Sequence, residues 1–294
     1  MLTIILGILE EGLLYSIMTL GVYITYKILD FPDLSVDGTF PLGGAVTVVL
    51  ISRGMNPLLT LLFAFFVGAM AGIITGIIHV KFKVRDLLSG IIVMTGLYSV
   101  NLRIAGRSNI PIFSYETIFE NKFIDKYIPE KLVPYIGLII IIIIVLIVKA
   151  LLDRYLETKS GYLLRAAGDN EVLVTSLAKD KGLVKIIGLA IANALVALAG
   201  AIYSQKQGFF EISNGTGTVV IGLASVIIGT KAFQNIGFIK TTSAVILGSI
   251  IYKACVAIAI SLGLPASDLR LITSTLFLII LIVSQDRMRR VKDA

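Results

Sequence analysis

The chain has 294 residues, of which 56% are hydrophobic, with a formal net charge of +7 and a mean hydropathy of +0.94. Such a composition excludes a soluble globular domain. The basic excess requires no nucleic acid, because membrane proteins gather Lys and Arg on one side of the bilayer. One cysteine, Cys255, and one histidine, His79, rule out an internal disulfide and argue against a metal cluster built from these side chains.

Long apolar runs such as 132–148 and 271–283, rather than short alternating segments, predict an all-α polytopic membrane protein and not a barrel. In chain order the windows fall near 12–29, 38–53, 57–80, 86–104, 133–152, 186–204, 217–233, 241–262 and 268–284. Several are too short for a full crossing, which predicts broken or re-entrant helices and about nine transmembrane helices, eight to ten in all. The whole chain, 1–294, reads as a single transmembrane domain. The first segment, interrupted by Glu10 and Glu11 with Lys27 as its first lysine, lacks the basic start of a cleavable signal peptide.

FPDLSVDGTF (31–40) then interrupts the apolar pattern. Pro32 disfavours helix just before it, and Gly38 permits a turn. Acidic side chains at membrane depth are costly and therefore functional candidates. Two readings stand: Asp33, Ser35, Asp37 and Gly38 line or gate a translocation path, or the acids cap helix N-termini, with Asp37 or Thr39 at the helix entering PLGGAV. Further on, Gly68, Gly72 and Gly76 recur every fourth residue in FVGAMAGIITGIIHV, a smooth face for close helix packing. Lys81, Lys83 and Arg85 predict a cytoplasmic turn, and the basic tail predicts a cytoplasmic C-terminus. The same alternation makes 105–131 an extracellular loop and 153–185 a cytoplasmic one.

The cytoplasmic loop keeps helical apolar spacing in GYLLRAA and EVLVTSLA. Gly168 is placed to stop a first short helix and Asp169 or Asn170 to cap a second. The pair would form a knob suited to a groove on a partner protein, or else a hairpin lying on anionic lipid. Gly200, Gly215 and Gly217 suggest further breaks, with a new helix starting near Val219. Asn193 reads as a helix-to-helix hydrogen bond, and Gln205 and Asn214 as weak candidates for contact with a partner at the extracellular mouth. The sequence contains no GK, hence no phosphate loop, and no HExxH motif or Ser-His-Asp set. Catalysis by this chain alone is not expected.

Three stretches in order, DLSVDGTFPLGGAV (33–46), AGIITGIIHVKFKVRDLLSGIIVMTGLYSVNLRI (71–104) and SGYLLRAAGDNEVLVTSLAKDKGLVKIIGLAIANALVALAGAI (160–202), resemble permease subunits of ABC-type importers. The likeness is to the branched-chain amino acid and ribose group, and within it to the uncharacterised or tryptophan/tyrosine-type branch. The resemblance implies a second permease chain forming a homodimer, ABC ATPase subunits, and a solute-binding lipoprotein or periplasmic protein, in a bacterial plasma membrane. ATP and Mg would belong to the partner ATPase, with no cofactor or metal in this chain. It further implies that Gly161, Arg165, Ala166, Ala167, Gly168, Asp169 and Asn170 form the coupling contact with that ATPase. VTSLAKDKGLVK departs from the family's usual small-residue ending there. The implied function is import of a small solute, an amino acid or related compound; the alternative is an ion-coupled secondary transporter using Asp33 or Asp37, for which no inverted repeat is visible.

Overall fold

The computed structural model describes residues 2–129, 132–169, 180–234, 236–261, 268, 271–275 and 277–282. In chain order the elements are α1 (Leu2–Val22), continued by a π-helical stretch (Tyr23–Ile28); α2 (Val36–Ser52); α3 (Pro57–Val80); α4 (Asp86–Ala105); β1 (Asn109–Pro111); and α5 (Lys122–Tyr127). There follow α6 (Val133–Leu156), α7 (Lys159–Asp169), α8 (Lys181–Gln207), β2 (Phe209–Glu211), a 3-10 turn (Ile212–Gly215), α9 (Thr218–Ala232), α10 (Thr241–Ser261) and α11 (Leu271–Ile282). Seven helical segments are long and apolar enough to cross a membrane, and two shorter apolar helices, α2 and α11, accompany them. The chain is thus a polytopic all-α protein.

The bundle is organised around α8, whose spanning window is 72% buried. Its Ala- and Gly-rich surface lets neighbouring backbones come close, which in a bilayer replaces the missing hydrophobic drive between helices with packing. A Cβ added at Gly72 of α3 would strike the Leu189 carbonyl of α8, and one at Gly68 the Ala197 side chain. A Cβ at Gly76 would lie 2.9 Å from Ile186 Cα. On the other side of α8, a Cβ at Gly43 of α2 would meet the Ala197 carbonyl, and one at Gly200 the Phe40 carbonyl. Gly200 therefore serves close approach; α8 runs unbroken through it, contrary to the break that the sequence suggests.

One end of the bundle holds the α3–α4 turn, α7 and the start of α8. There Lys240 reaches Glu157 at 3.0 Å and Asp153 at 3.8 Å, and these carboxylates hold its ammonium above the usual lysine range. The opposite end is closed by the antiparallel β1–β2 ribbon, in which Ile110 faces Phe210 over a small core with Val48 and Ile51. Gln205 lies buried at this end, accepting from Ile118 N and donating to Pro57 O and Thr60 Oγ1. It ties three elements together and offers nothing to an outside partner, a correction to the sequence reading. The early acids are paired here as well: Glu10 with Lys206 at 2.9 Å and Glu11 with Lys253 at 3.0 Å.

Overpacking the α3–α8 contact should cost about 1–3 kcal/mol. Gly72→Val is therefore expected to lower the thermal midpoint in detergent by several degrees. Gly96→Val, at a site with open space around its Cβ position, should leave it nearly unchanged. Equal midpoints would show that the small-residue face is not what holds α3 on α8.

Candidate functional site

Helical hydrogen bonding changes at Tyr23, where the π-stretch begins, and ends near Leu29, whose N–H reaches Ile24 O at 3.0 Å. Asp30 then takes a left-handed φ of 51°, a region that Asp enters more readily than most residues other than Gly. The chain climbs without regular structure along α8 until α2 starts at Val36. Such backbone at membrane depth persists only where protein or water satisfies it, and here two acids supply part of that satisfaction.

Asp33 is buried, with Oδ1 accepting from Ser35 N at 2.8 Å and Oδ2 from Asn193 Nδ2 at 2.8 Å. The oxygen of Asn193 in turn accepts from Thr39 Oγ1 at 2.7 Å and Ser35 Oγ at 3.2 Å. Thus Asp33, Ser35, Thr39 and Asn193 form one buried network joining the irregular segment and the start of α2 to the middle of α8. In such a network each atom lost leaves its partner unpaired in a low-dielectric interior.

Asp37 caps a helix, but one far away in sequence. Although it lies in the first turn of α2, its carboxylate accepts from Gly217 N at 2.9 Å, Val219 N at 2.8 Å and Thr218 Oγ1 at 2.9 Å. It thereby holds the N-terminus of α9, where orphan N–H groups and the helix dipole both favour an anion. Neither Asp37 nor Thr39 caps α2 through its side chain: Thr39 Oγ1 donates to Ser35 O at 3.0 Å and to Asn193. The segment 212–217 runs from β2 beside α2: Gly215 lies against the Asp37 carbonyl and Pro41, and α9 starts beside the first turn of α2. The two short helices α2 and α9 consequently begin side by side within the bundle.

Beside that junction lies a cavity of about 330 Å³ between α2, α4 and the 212–217 segment, lined by Asp37, Gly38, Thr95, Tyr98, Asn101 and Thr216 among others. Asn101 is wholly buried and its Nδ2 donates to Gly38 O at 2.9 Å. The face of α4 here carries exposed Thr95, Gly96 and Ser99. Other exposed positions of α4 are apolar, Ile91, Ile92, Val100 and Leu102 among them, and the outer faces of α3 and α6 expose Phe63, Phe66, Ile143 and Ile147, as lipid requires. Of the sequence-predicted path residues, Asp37 and Gly38 line this cavity, whereas Asp33 and Ser35 are sealed inside the network. Asn101, Thr95 and Tyr98 carry no motif; the only sign of them was a polar residue in an apolar window.

At the other end, α7 seats one face on the bundle and presents the other. Leu164 and Ala167 are buried, and a Cβ at Gly168 would strike the Ile28 carbonyl. Gly161 packs as closely on Tyr155 and Leu156. Tyr162 and Arg165 are exposed, and Ala166 is half-buried. Gly168 thus lies within the helix as a seat and is not its stop, and Ala167 faces inward. Asp169 is the last helical residue described; Asn170 and the expected second helix lie outside the described residues.

Replacing Asp37 by Ala removes three hydrogen bonds and a cap, a loss of about 1–2 kcal/mol by the usual cost of a cap. Faster amide hydrogen exchange at Gly217 and Val219, with α3 unaffected, is the expected readout. Unchanged exchange there would show that α9 is held by packing alone.

The chain matches the family model described as branched-chain amino acid transport system / permease component over residues 4–284. It is 44% identical over 270 residues to a tyrosine transport system permease protein of Clostridioides difficile (strain R20291), covering 92% of this chain and 88% of that one. It is 33% identical to an uncharacterized protein of Rickettsia prowazekii (strain Madrid E), covering 98% and 99% of the two chains. With the ribose import permease protein of Haemophilus influenzae (strain ATCC 51907 / DSM 11121 / KW20 / Rd) it shares 24% identity, over 79% and 70% of the respective lengths. No solved structure shows significant similarity to it. Multiple membrane-crossing helices, a broken segment inside the bundle and the match along almost the whole length lead to one conclusion: the chain belongs to the branched-chain amino acid transport permease family, the permease subunits of ABC-type importers.

Proposed function

We propose that this chain is the membrane-spanning subunit of an ATP-driven importer for a small amino acid-like solute, working as a homodimer in a bacterial plasma membrane. On this reading the path runs along the polar face of α4, past Asp37 and Gly38, and a solute-binding protein delivers the solute at the β-ribbon end. ATP and Mg are handled by a partner ATPase, which docks on α7 at the cytoplasmic end; the basic C-terminal tail lies on that side too. The observation that carries the reading is the two-faced α7. Its inner face rests on Ile28, at the head of the irregular segment that leads to Asp33 and Asp37, while Tyr162 and Arg165 are left for a partner. A push on α7 would therefore arrive where the path is built.

Tyrosine is the first solute to test, because a relative 44% identical to this chain is named for it. Ion coupling through Asp33 or Asp37 has less support. Asp33 is buried and engaged by Ser35 and Asn193, and Asp37 is fixed by three donors at the α9 terminus, so neither carboxylate moves freely with a coupling ion.

The test is the composition of the tagged chain purified from its native host in mild detergent. A stoichiometric ATPase subunit is expected with the native sequence. Arg165→Glu should weaken its retention about tenfold or more by removing a cation and adding a like charge to the docking face. Gly168→Leu should unseat α7 and abolish ATP-dependent uptake. A chain that purifies without an ATPase and still drives uptake from an ion gradient in liposomes would overturn the importer reading.

A further inference from the structure

The cavity beside Asp37 carries an imbalance of hydrogen-bonding groups that the importer reading does not explain. Asn101 spends one of its two N–H groups on the Gly38 carbonyl, and its Oδ1 is buried without any partner. An amide oxygen has room for two donors, and leaving it unpaired inside a protein costs more than an ordinary hydrogen bond gains. Asp37, which lines the same cavity beside Gly38, accepts three hydrogen bonds, out of about four lone-pair sites on a carboxylate. Its ion-pair partner is also missing among the described residues. At the rim stands Tyr98, 56% exposed.

The wall therefore has acceptors and negative charge to spare, and the matching ligand must bring donors and positive charge. Short helices that begin inside a membrane usually attract anions to their N-termini. That role is already filled here: Asp33 accepts from Ser35 N at the start of α2, and Asp37 from Gly217 N and Val219 N at the start of α9. A solute carboxylate would meet a fixed carboxylate, whereas a solute ammonium would meet that carboxylate, an amide oxygen and the face of an aromatic ring. Thr95 and Thr216 supply small polar walls without further charge.

We propose that this cavity is a solute-holding station that receives the ammonium group of an amino acid or amine, with Asn101 Oδ1 and Asp37 as its acceptors and Tyr98 as its apolar rim. The proposal rests on the importer reading for the existence of a water-filled path along α4. What it adds is the residues at which the solute pauses and the end of the solute that is recognised. Asn101 carries specificity: it rejects solutes that lack the donor, because its oxygen would then stay unpaired.

The test uses the single native cysteine to advantage. In a Cys255→Ala background, Thr95→Cys in native membranes with its partner subunits is treated with a cationic, membrane-impermeant methanethiosulfonate, and Ile143→Cys on the lipid face of α6 serves as control. Thr95→Cys should react about tenfold faster or more, since a thiol reacts as thiolate and needs water. L-Tyrosine and tyramine, which share an ammonium, should slow the reaction about threefold at twice their Kd. The des-amino analogue 3-(4-hydroxyphenyl)propionate should not. Asn101→Leu should keep the labelling rate and lose the protection; Asn101→Asp, which retains an acceptor and adds charge, should keep it. Reaction no faster than at Ile143→Cys would overturn the path reading itself. Fast reaction without protection by either ammonium compound would leave the path in place and overturn the station. Equal protection by the des-amino analogue, or protection surviving in Asn101→Leu, would overturn the assignment of the ammonium to Asn101.

Discussion

Everything around the candidate site depends on keeping seven residues, 29–35, out of a helix inside a membrane bundle. Lipid offers their N–H and C=O groups nothing, and each one left unpaired costs several kcal/mol. The Asp33–Asn193 pair is the interaction that makes the break tolerable. One carboxylate oxygen takes the Ser35 amide just before α2, and the other takes the Asn193 amide in the middle of α8. The oxygen of Asn193 then gathers the hydroxyls of Ser35 and Thr39. Because α8 has the most buried window of the seven membrane-crossing segments, the irregular segment is fastened to a central element of the bundle. An apolar pair at these two positions would fill the space but leave the Ser35 amide and hydroxyl without the partners they have here.

From that fastening the structure extends in two directions. Toward one end, Ile28 and Leu29 receive α7: the Gly168 backbone lies on the Ile28 carbonyl, and Leu29 touches Gly188 of α8. Toward the interior, α2 begins, and within its first turn Asp37 holds the start of α9. α7 and the start of α9 are thus linked through about ten residues of chain, Ile28 to Asp37. Contiguity of this kind becomes coupling only if the segment has two arrangements that both ends bias. The π-helical stretch at Tyr23–Ile28 is where a second arrangement is cheapest, since a π-turn reverts to α by shifting one residue.

The spans were largely legible in the sequence, because a bilayer imposes one strong rule: apolar runs of helical length. The windows at 57–80 and 86–104 coincide almost residue for residue with α3 and α4. Breaks were legible only where backbone chemistry forced them. Pro32 and the Gly215/Gly217 pair mark true interruptions, whereas Gly200 and Gly168 look the same in sequence and serve close approach. A glycine tolerates both uses, and only its neighbours in space decide between them. For the same reason the acids of 31–40 could be recognised as special while their partners could not: Asn193 and Thr218 lie more than 150 residues further along. Asn101 was visible merely as a polar residue in an apolar window; its significance comes from Gly38 taking one N–H and nothing taking its oxygen.

These placements also dissolve the choice between a capping acid and a path acid. Asp33 is buried within the network it anchors. Asp37 caps α9 and, half-exposed, lines the cavity at the same time. A capping carboxylate costs the fold little because the helix dipole and two amides answer its charge. The charge is nonetheless only partly answered, since amides carry partial charges and no cation accompanies them among the described residues. A carboxylate so held is both fixed in place and able to attract a mobile cation weakly. Weak attraction suits a station on a path better than a tight site would, because a solute that binds too well at an intermediate point does not leave it.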